Sequence, residues 1–369
     1  NMFALGICFY LFDRPEAYAF KYIETKFAKK NPAIAEANKL AIQAGYNYAA
    51  NTHQFANTYT VAPAPLEKGT YRSISGNVAT AWGLCAAAEK AGLPLFCGSY
   101  PITPATVILE ELAKRKDLGV KTVQAEDEIA GICTAIGAAF AGNFAVTTTS
   151  GPGLSLKSEA LGLAVMTELP LVVVDVQRGG PSTGLPTKTE QSDLQQALYG
   201  RNGECPVIVV AASSPSDCFH YAFEAGRLAM EHMTPVILLT DGFIANGSEP
   251  WRIPAMKDYP AITPPIVDEA PEGGFMPYVR NENLARGWAF PGKTGLEHRV
   301  GGLEKDCVKG CISHDPSNHQ KMVRTRAEKV AKAVDDIPAQ AVWGAPEGDL
   351  LVVGWGGTRG HLQNAVDQM

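Results

Sequence analysis

The sequence lacks the features that mark membrane, secreted and nucleic-acid-binding proteins. No apolar run reaches the ~20 residues that a bilayer-spanning helix needs. The N-terminal stretch has neither the basic start nor the small-residue cleavage site of a secretory signal peptide. An excess of positive charge is also missing, because the formal net charge is -6. These absences argue against a membrane-spanning segment and against general binding to nucleic acid or anionic membranes.

Paired cysteine motifs are missing as well. The eight cysteines are scattered and form no C-x-x-C pair, a pattern typical of reduced thiols in a cytoplasmic protein. Cys307, Cys311 and His314 are close enough in sequence to suggest a metal site. No fourth ligand is evident, and Lys305 and Lys309 favour an exposed loop instead. We therefore expect no metal there.

Length and composition indicate a large folded core. The chain has 369 residues, of which 46% are hydrophobic and 19% charged, values typical of a globular protein with about two domains. It starts at Asn1 inside an apolar pattern and ends at Met369 in a pattern typical of a new domain's first helix. We expect it to be part of a longer polypeptide.

The order of apolar and polar residues divides the chain into five regions. Residues 1–52 are predicted to be helical, with one helix starting near Pro15 and another running from Pro32 to about Gly45. From residue 75 to 245, apolar strand patterns alternate with helix patterns, which predicts an α/β fold with a doubly wound parallel sheet covered by helices on both faces. The other regions are a linker (53–74), an extended arm or crossover (246–347), and a second α/β domain that begins with a buried strand near 350–353 (348–369).

The stretch from Leu171 to Leu194 organises the rest of the chain. Its apolar start, Leu171 to Val174, predicts a strand that is buried on both faces. Arg178 and a long loop of glycine, proline, serine and threonine follow, where parallel sheets bind ligands. An arginine at that position suits a carboxylate or a phosphate. It could equally pair with a nearby carboxylate of the protein.

A second candidate position is the turn Tyr100-Pro101-Ile102-Thr103-Pro104. The Thr103-Pro104 pair predicts a helix N-cap followed by proline at the first helical position. A helix N-terminus also attracts anions. Thr103 is therefore either a cap alone or a cap whose hydroxyl also faces a substrate carboxylate.

A third candidate is the acidic start of a small-residue helix. Glu126, Asp127 and Glu128 precede a run of alanine, glycine and cysteine, and acidic residues in a first turn usually only complement the helix dipole. Because interior glycines destabilise a helix, Gly131 and Gly137 indicate the close approach of a backbone or a flat cofactor. A carboxyl at the mouth of such a helix could be a hydrogen-bonding acid.

Two glycine-rich turns are weaker signals. Residues 149–153, Thr-Ser-Gly-Pro-Gly, and residues 354–357, Gly-Trp-Gly-Gly, could bind a phosphate or a dinucleotide. Neither matches a complete nucleotide-binding motif, so tight turns are favoured. A nucleotide-binding regulatory module is nevertheless the alternative of a different functional class, and it predicts binding of ATP or NAD.

Four segments, taken in order, resemble the α subunit of 2-oxoacid:ferredoxin oxidoreductases. They are GSYPITPAT, QAEDEIAGICTAIGAAFAGN, TTTSGPGLSLKSE and QRGGPSTGLPTKTEQSDL. Under this resemblance, residues 1–52 are the end of a fused γ domain. Residues 75–245 are the pyrimidine-binding domain for thiamine diphosphate. Residues from about 348 start a transketolase C-terminal-like domain.

The segments after residue 249 resemble the 2-oxoglutarate type of this family. They are PWRIP, GLEHR with GGLE, and HQKM. Two positions depart from the expected pattern: residues 309–312 read Lys-Gly-Cys-Ile, and Ala105 stands where many relatives have serine. The resemblance thus implies oxidative decarboxylation of 2-oxoglutarate with coenzyme A, with pyruvate or a branched 2-oxoacid as the alternative substrate.

The resemblance also implies residue roles. Glu128 matches the glutamate that bonds the aminopyrimidine ring, which favours the imino tautomer that generates the reactive carbanion. Ile102 matches a position that contacts the cofactor. Thr103 and Arg178 match the positions that hold the substrate carboxylate. Two further residues belong to the loop that shapes the substrate pocket, Thr183 and Lys188.

The remaining components are expected from a partner. The sequence has no Gly-Asp-Gly-type motif for the diphosphate and its Mg2+, and no cysteine set for an iron–sulfur cluster. The resemblance implies that a β subunit supplies Mg2+ and a [4Fe-4S] cluster, and that the active site lies between the subunits. It further implies ferredoxin as the electron acceptor, a dimer of αβ units and a cytoplasmic location.

Overall fold

A computed structural model describes residues 1–185 and 188–369. The chain forms two compact units, residues 1–68 and residues 69–369. Within the described ranges, no helix has the length and apolar character needed to cross a membrane.

The first unit is helical. It contains α1 (Met2–Leu11), α2 (Ala17–Ile23), a π-helical turn (Glu24–Ala28) and α3 (Pro32–Thr52). The Asn31 side chain caps α3 by accepting from the Ala33 N–H at 3.1 Å. The helix does not end near Gly45 as predicted, because Gly45 is a packing position. A Cβ there would collide with the Phe3 carbonyl of α1.

The second unit is built on strands that alternate with helices. Its strands are β1 (Tyr71–Ser75), β2 (Leu95–Ser99), β3 (Lys121–Gln124), β4 (Phe144–Thr149), β5 (Leu171–Gln177), β6 (Ile208–Ala211), β7 (Pro235–Asp241) and β8 (Ser248–Arg252). Its helices are α4 (Gly76–Ala91), α5 (Thr106–Ala113), α6 (Glu128–Phe140), α7 (Gly151–Leu156), α8 (Ser158–Thr167), α9 (Leu194–Tyr199), α10 (Asp217–His232), α11 (Gly242–Asn246), α12 (Pro316–Lys332) and α13 (Arg359–Gln368).

Six strands form one parallel sheet in the order β3-β2-β4-β5-β7-β6. The central strand β5 is buried along its whole length. Val172 and Val174 join the core on one face, while Leu171 and Val173 join the core on the other. Because alternate side chains point to opposite faces, this division confirms the predicted doubly wound sheet with helices on both sides.

A small antiparallel pair lies outside the main sheet. β1 pairs with β8, with Tyr71 opposite Arg252. β1 was predicted to belong to a linker, because the stretch that contains it is polar and includes prolines. The pair is stabilised instead by Trp251 of β8, which is buried and contacts the rings of Trp82 and Phe219.

Residues 253–315 form an irregular arm that is fixed to the end of α8 by buried cations. The Arg286 Nε donates to the carbonyls of Thr167 and Glu168 at 3.1 and 3.0 Å. The Lys305 Nζ donates to the Met166 carbonyl at 2.7 Å. Positive groups satisfy the free carbonyls of a helix C-terminus and interact favourably with its dipole. The expectation that Lys305 is exposed is therefore wrong: it is 1% exposed.

A second set of contacts, the arm anchor, consists of Glu168, Arg280 and Lys329. Arg280 binds the Glu168 carboxylate through both terminal nitrogens at 2.6 and 2.7 Å. The Lys329 Nζ lies 2.5 Å from the same carboxylate. Burial opposes ionisation, yet the Lys329 and Arg280 charges hold the pKa of Glu168 well below its usual value. The anchor thus joins the arm and α12 to the sheet unit through a buried ionic contact.

The strand predicted near residues 350–353 is not formed. Leu350, Leu351 and Val353 lie outside any helix or strand and are 67%, 77% and 83% exposed. A strand needs a neighbour for its backbone hydrogen bonds, and no other strand pairs with these residues in the part of the chain that the structure describes.

Candidate functional site

The site lies where the strand order of the sheet reverses. From β2 the chain passes to β3 on one side and then to β4 on the other. The connection that leaves β2 and the one that leaves β4 for β5 therefore run in opposite directions, and such a switch point forms a crevice at the carboxyl ends of the two strands, where open α/β sheets bind ligands. Hydroxyl groups join the two strand ends: Tyr100 Oη lies 3.0 Å from Thr149 Oγ1, and Ser99 Oγ lies 2.7 Å from Thr148 Oγ1.

Glu128 lies at this crevice as the first residue of α6. The Asp127 side chain caps the helix by accepting from the Ala130 N–H at 2.9 Å, so the acidic cluster divides into a cap and a half-buried acid. Small residues bring α6 close to β2, and a Cβ on Gly131 would lie 3.3 Å from the Ser99 Cα. The expected close approach is therefore present at Gly131. At Gly137 nothing lies within 4 Å.

Gly153 lets three side chains, those of Thr149, Tyr100 and Glu128, pack directly against its backbone. A Cβ at this position would collide with the Thr149 and Tyr100 hydroxyls and would lie 3.0 Å from the Glu128 Cγ. Burial, and then the neighbouring Glu128, raises the pKa of Tyr100, so its phenol stays protonated. The crevice thus brings a carboxyl group and a neutral hydroxyl donor together over a residue without a side chain.

A buried lysine completes this arrangement. Lys157 follows α7, is 0% exposed, and its Nζ donates to the Glu128 carbonyl at 2.7 Å and to Thr147 Oγ1 at 3.2 Å. The sequence analysis missed Lys157 and Tyr100. The available signal for Lys157 was its position four residues after Gly153, which places both on one helical face.

Arg178 and Thr103 meet at the same edge of the sheet. Arg178 follows β5, is 5% exposed, and its Nη1 donates to the Thr103 carbonyl at 2.6 Å. Its Nε is buried without a hydrogen-bond partner in the described chain. The Thr103 side chain is exposed. The two residues predicted to hold a carboxylate therefore lie together, although no contact tests that role.

Thr103 is not a helix cap, contrary to the prediction. Helix α5 starts at Thr106, and Thr106 Oγ1 accepts from the Ile102 N–H at 2.9 Å. The Asn77 side chain holds the preceding turn by donating to the Pro104 carbonyl at 2.9 Å. These two side chains hold the turn before α5, and no side chain caps the helix among the described residues. Ile102 is half-buried against the core.

The loop after Arg178 contains the two other predicted pocket residues. The Gly179 N–H donates to the Lys188 carbonyl at 2.7 Å, which places Lys188 beside the Arg178 backbone. The side chains of Thr183 and Lys188 are both exposed. Within the same sequence motif, Pro186 and Thr187 lie outside the described residues.

The glycine-rich turns contact side chains of this same chain. At the first turn, a Cβ on Gly151 would lie 2.5 Å from the Asp193 carboxylate. At the second turn, the Gln191 side chain donates to the Trp355 carbonyl at 2.9 Å. A carboxylate at Gly151 would repel a phosphate, so this contact disfavours the nucleotide-binding alternative.

Asp193 forms a buried acidic pair with Asp175 of β5. Burial, and then the Asp193 charge, raises the pKa of Asp175, and burial raises the pKa of Asp193. Burial and the neighbouring charge thus both oppose ionisation of this pair. Among the described residues, no cluster of three or more His, Cys, Asp or Glu side chains could hold a metal ion.

Comparison with known proteins identifies the family. The profile of the family described as pyruvate flavodoxin/ferredoxin oxidoreductase, thiamine diphosphate-binding, matches residues 87–312. The chain is 56% identical to the 2-oxoglutarate oxidoreductase subunit KorA of Mycobacterium tuberculosis, covering 99% of this chain and 55% of that protein. It is 37% identical to the 2-oxoglutarate synthase subunit KorA of Methanothermobacter marburgensis, covering 79% and 76% of the two chains.

A solved structure has the same fold. It is the 2-oxoglutarate:ferredoxin oxidoreductase from Magnetococcus marinus, which contains 2-oxoglutarate, coenzyme A and succinyl-CoA. The TM-score is 0.87 at 36% identity, covering 100% of this chain and 63% of that chain. The chain thus spans about half to two thirds of the length of the M. tuberculosis protein and of this structure. Profile, sequence and fold agree, and the chain belongs to the pyruvate flavodoxin/ferredoxin oxidoreductase family with a thiamine diphosphate-binding domain.

Proposed function

We propose that the protein is the α subunit of a 2-oxoglutarate:ferredoxin oxidoreductase and that this chain binds the pyrimidine end of thiamine diphosphate. The observation that carries the proposal is the position of Glu128. It is a half-buried acid at the start of a small-residue helix, at the switch point of the sheet, and its side chain packs beside Gly153 and the Tyr100 hydroxyl. A flat ring that needs one hydrogen-bonding acid fits these properties.

Each site residue then has a defined task. Bound thiamine diphosphate supplies a nucleophilic carbon for the keto group and a sink for the electrons that decarboxylation releases. Glu128 holds a proton between its carboxyl group and the ring nitrogen, and Ile102 packs against the cofactor. Arg178 and Thr103 orient the 2-oxoacid carboxylate, because a guanidinium group binds both carboxylate oxygens. Thr183 and Lys188 border the substrate pocket from the loop.

The proposal assigns the remaining parts of the enzyme to partners. A β subunit supplies the Mg2+ and diphosphate site and a [4Fe-4S] cluster, and the two subunits form a dimer of αβ units. Ferredoxin accepts the electrons, and coenzyme A accepts the acyl group. The names of the KorA relatives and the ligands of the Magnetococcus structure support 2-oxoglutarate over pyruvate or branched 2-oxoacids. Eight unpaired cysteines support a cytoplasmic location.

The test is ferredoxin or viologen reduction by the full-length protein purified with its partner subunit. The assay contains coenzyme A with either 2-oxoglutarate or pyruvate. We expect reduction with 2-oxoglutarate. Glu128→Ala should lower kcat by about 10²–10⁴, the usual contribution of an acid–base group. The control, Glu126→Ala, removes an exposed acid just before α6 and should retain full activity.

Arg178→Ala tests the carboxylate site separately. Losing a hydrogen bond to a charged group costs about 1.5–3 kcal/mol, so we expect kcat/KM for the 2-oxoacid to fall by about 10- to 150-fold. Cofactor affinity should stay unchanged. No reduction with any 2-oxoacid, or full activity of Glu128→Ala, would contradict the proposed function. A preference for pyruvate would contradict only the substrate assignment.

A further inference from the structure

Lys157 is a buried cation that contacts neutral groups only. Its Nζ donates to the Glu128 carbonyl and the Thr147 hydroxyl, and it lies 5.0 Å from the centre of the Tyr100 ring. In the described part of the chain, it forms no ion pair with a carboxylate. A buried ammonium group is costly unless it is paired. Because of this cost, we expect the Lys157 ammonium group to have a role that an apolar side chain of similar length could not perform.

The contacts of Lys157 indicate that role. The Glu128 carbonyl belongs to the first residue of α6, and Thr147 belongs to β4. The lysine therefore joins the first turn of the helix to the strand whose end borders the crevice. The Glu128 side chain leaves the same residue and passes beside Gly153. A shift of that turn would move the Glu128 side chain away from its place beside Gly153 and Tyr100.

We propose that Lys157 is a positioning residue for the cofactor-binding acid: its ammonium group fixes the first turn of α6 so that the Glu128 side chain keeps its place beside Gly153 and the Tyr100 hydroxyl. The inference rests on the proposed function, since it assigns a purpose to Glu128. Burial lowers the pKa of Lys157 to about 8, and Glu128 is the strongest influence in the opposite direction. The lysine thus also keeps a positive charge near the acid at neutral pH.

The chain offers a matched control in Lys305. Its Nζ also donates to a main-chain carbonyl at 2.7 Å, lies 5.5 Å from a tyrosine ring centre, and is almost completely buried. Burial lowers its pKa to about 8 as well. Lys305 lies on the arm and contacts Met166, not Glu128. Replacing each lysine by methionine removes an equivalent bond, and only one of these bonds reaches the site.

The experiment compares the two variants in the intact complex of the full-length protein with its partner subunit. Bound cofactor is removed, and thiamine diphosphate with Mg2+ is titrated back by calorimetry. Near-ultraviolet circular dichroism at saturating cofactor then reports the amino and imino tautomers of the ring. We expect Lys157→Met to raise the Kd by about tenfold or more, the effect of losing a hydrogen bond to a charged group. We also expect it to weaken the imino band. Lys305→Met should leave both the Kd for thiamine diphosphate and the intensity of the imino band at the wild-type level.

Three outcomes separate the possibilities. Wild-type Kd and bands in Lys157→Met would overturn the inference, and so would equal losses in Lys305→Met. If the methionine variant does not fold, Lys157→Gln, whose side chain is one bond shorter, carries the same expectation. A wild-type complex that binds no thiamine diphosphate would contradict the proposed function itself. Wild-type binding with an unaffected Lys157→Met would reject only the role of the lysine.

Discussion

The arm anchor and the candidate site both combine buried charge with a glutamate, but they use it in opposite ways. In the anchor, Arg280 and Lys329 saturate the Glu168 carboxylate, which is 1% exposed. In the site, Lys157 bonds the Glu128 backbone, and the carboxyl group remains half-buried. A saturated carboxylate stabilises the fold, whereas an unsaturated one can still bind a ligand. The difference separates a structural acid from the acid that we propose to be functional.

The largest effect is expected from a substitution that breaks the arm anchor. Glu168→Gln leaves Arg280 and Lys329 buried without a counter-charge, and losing one partner of a buried ion pair costs about 3–5 kcal/mol. We expect the free energy of unfolding to fall by that amount in denaturant titrations. The control is Glu159→Gln, an exposed acid on the same helix, which should change it by less than about 0.5 kcal/mol. Equal effects of the two variants would mean that the anchor is not structural.

The same anchor predicts a loss of stability in acid. The pKa of Glu168 lies below its ordinary value of 4.5, so the unfolded chain takes up a proton first. Its contribution is fully present above pH 4.5 and is lost as the pH falls towards the folded-state pKa. Melting temperatures measured from neutral pH downwards should therefore drop more steeply below that value in the wild type than in Glu168→Gln. Parallel curves would contradict this explanation.

An intermediate effect is expected from a substitution that adds a side chain within the candidate site. Gly153→Ala puts a methyl group against the Tyr100 and Thr149 hydroxyls and the Glu128 side chain. Overpacking of this kind costs about 1–3 kcal/mol. We expect lower stability together with weaker thiamine diphosphate binding, measured by thermal unfolding with and without the cofactor. Normal cofactor binding by this variant would show that binding does not depend on the packing of Glu128 and Tyr100 against Gly153.

The smallest effect is expected at Gly137, where a substitution should raise the stability of the protein and not lower it. Gly137 is exposed within α6, and nothing lies within 4 Å of the position that a Cβ would take. Gly137→Ala should therefore stabilise the protein by about 0.5–1 kcal/mol through its higher helix propensity. Calorimetric unfolding of the variant would test this. Destabilisation would indicate that a partner surface approaches α6 closely at this point.

The main sheet could be predicted because its signals are local. Apolar strands of four to seven residues and their flanking glycines identify β2, β4, β5 and β7 without knowledge of their neighbours. β1 and β8 were missed because their pairing joins residues 71–75 to 248–252 and leaves no periodic pattern. The strand expected at 350–353 shows the converse, since an apolar run forms a strand only where a partner exists.

The site could be predicted only in part. Glu128 and Arg178 stand at recognisable sequence signals, a helix start and a strand end. The contacts between their neighbourhoods depend on side chains that are far apart in sequence, such as Lys157 and Glu128 or Arg178 and Thr103. Lys305 was assigned to an exposed loop because lysine is seldom buried. No sequence pattern indicates which carbonyl a buried lysine will reach.

The hydrogen bond from Lys157 to a main-chain carbonyl has a consequence for the evolution of this site. It ends on a main-chain carbonyl, which every amino acid provides. A mutation of codon 128 would therefore remove the acid but leave the acceptor of this bond intact. Under the proposed function, loss of the reaction and loss of the fold are thus separate genetic events at this position. A duplicated copy of the gene could then lose the proposed chemistry in a single step, keep its shape, and remain available for a different ligand.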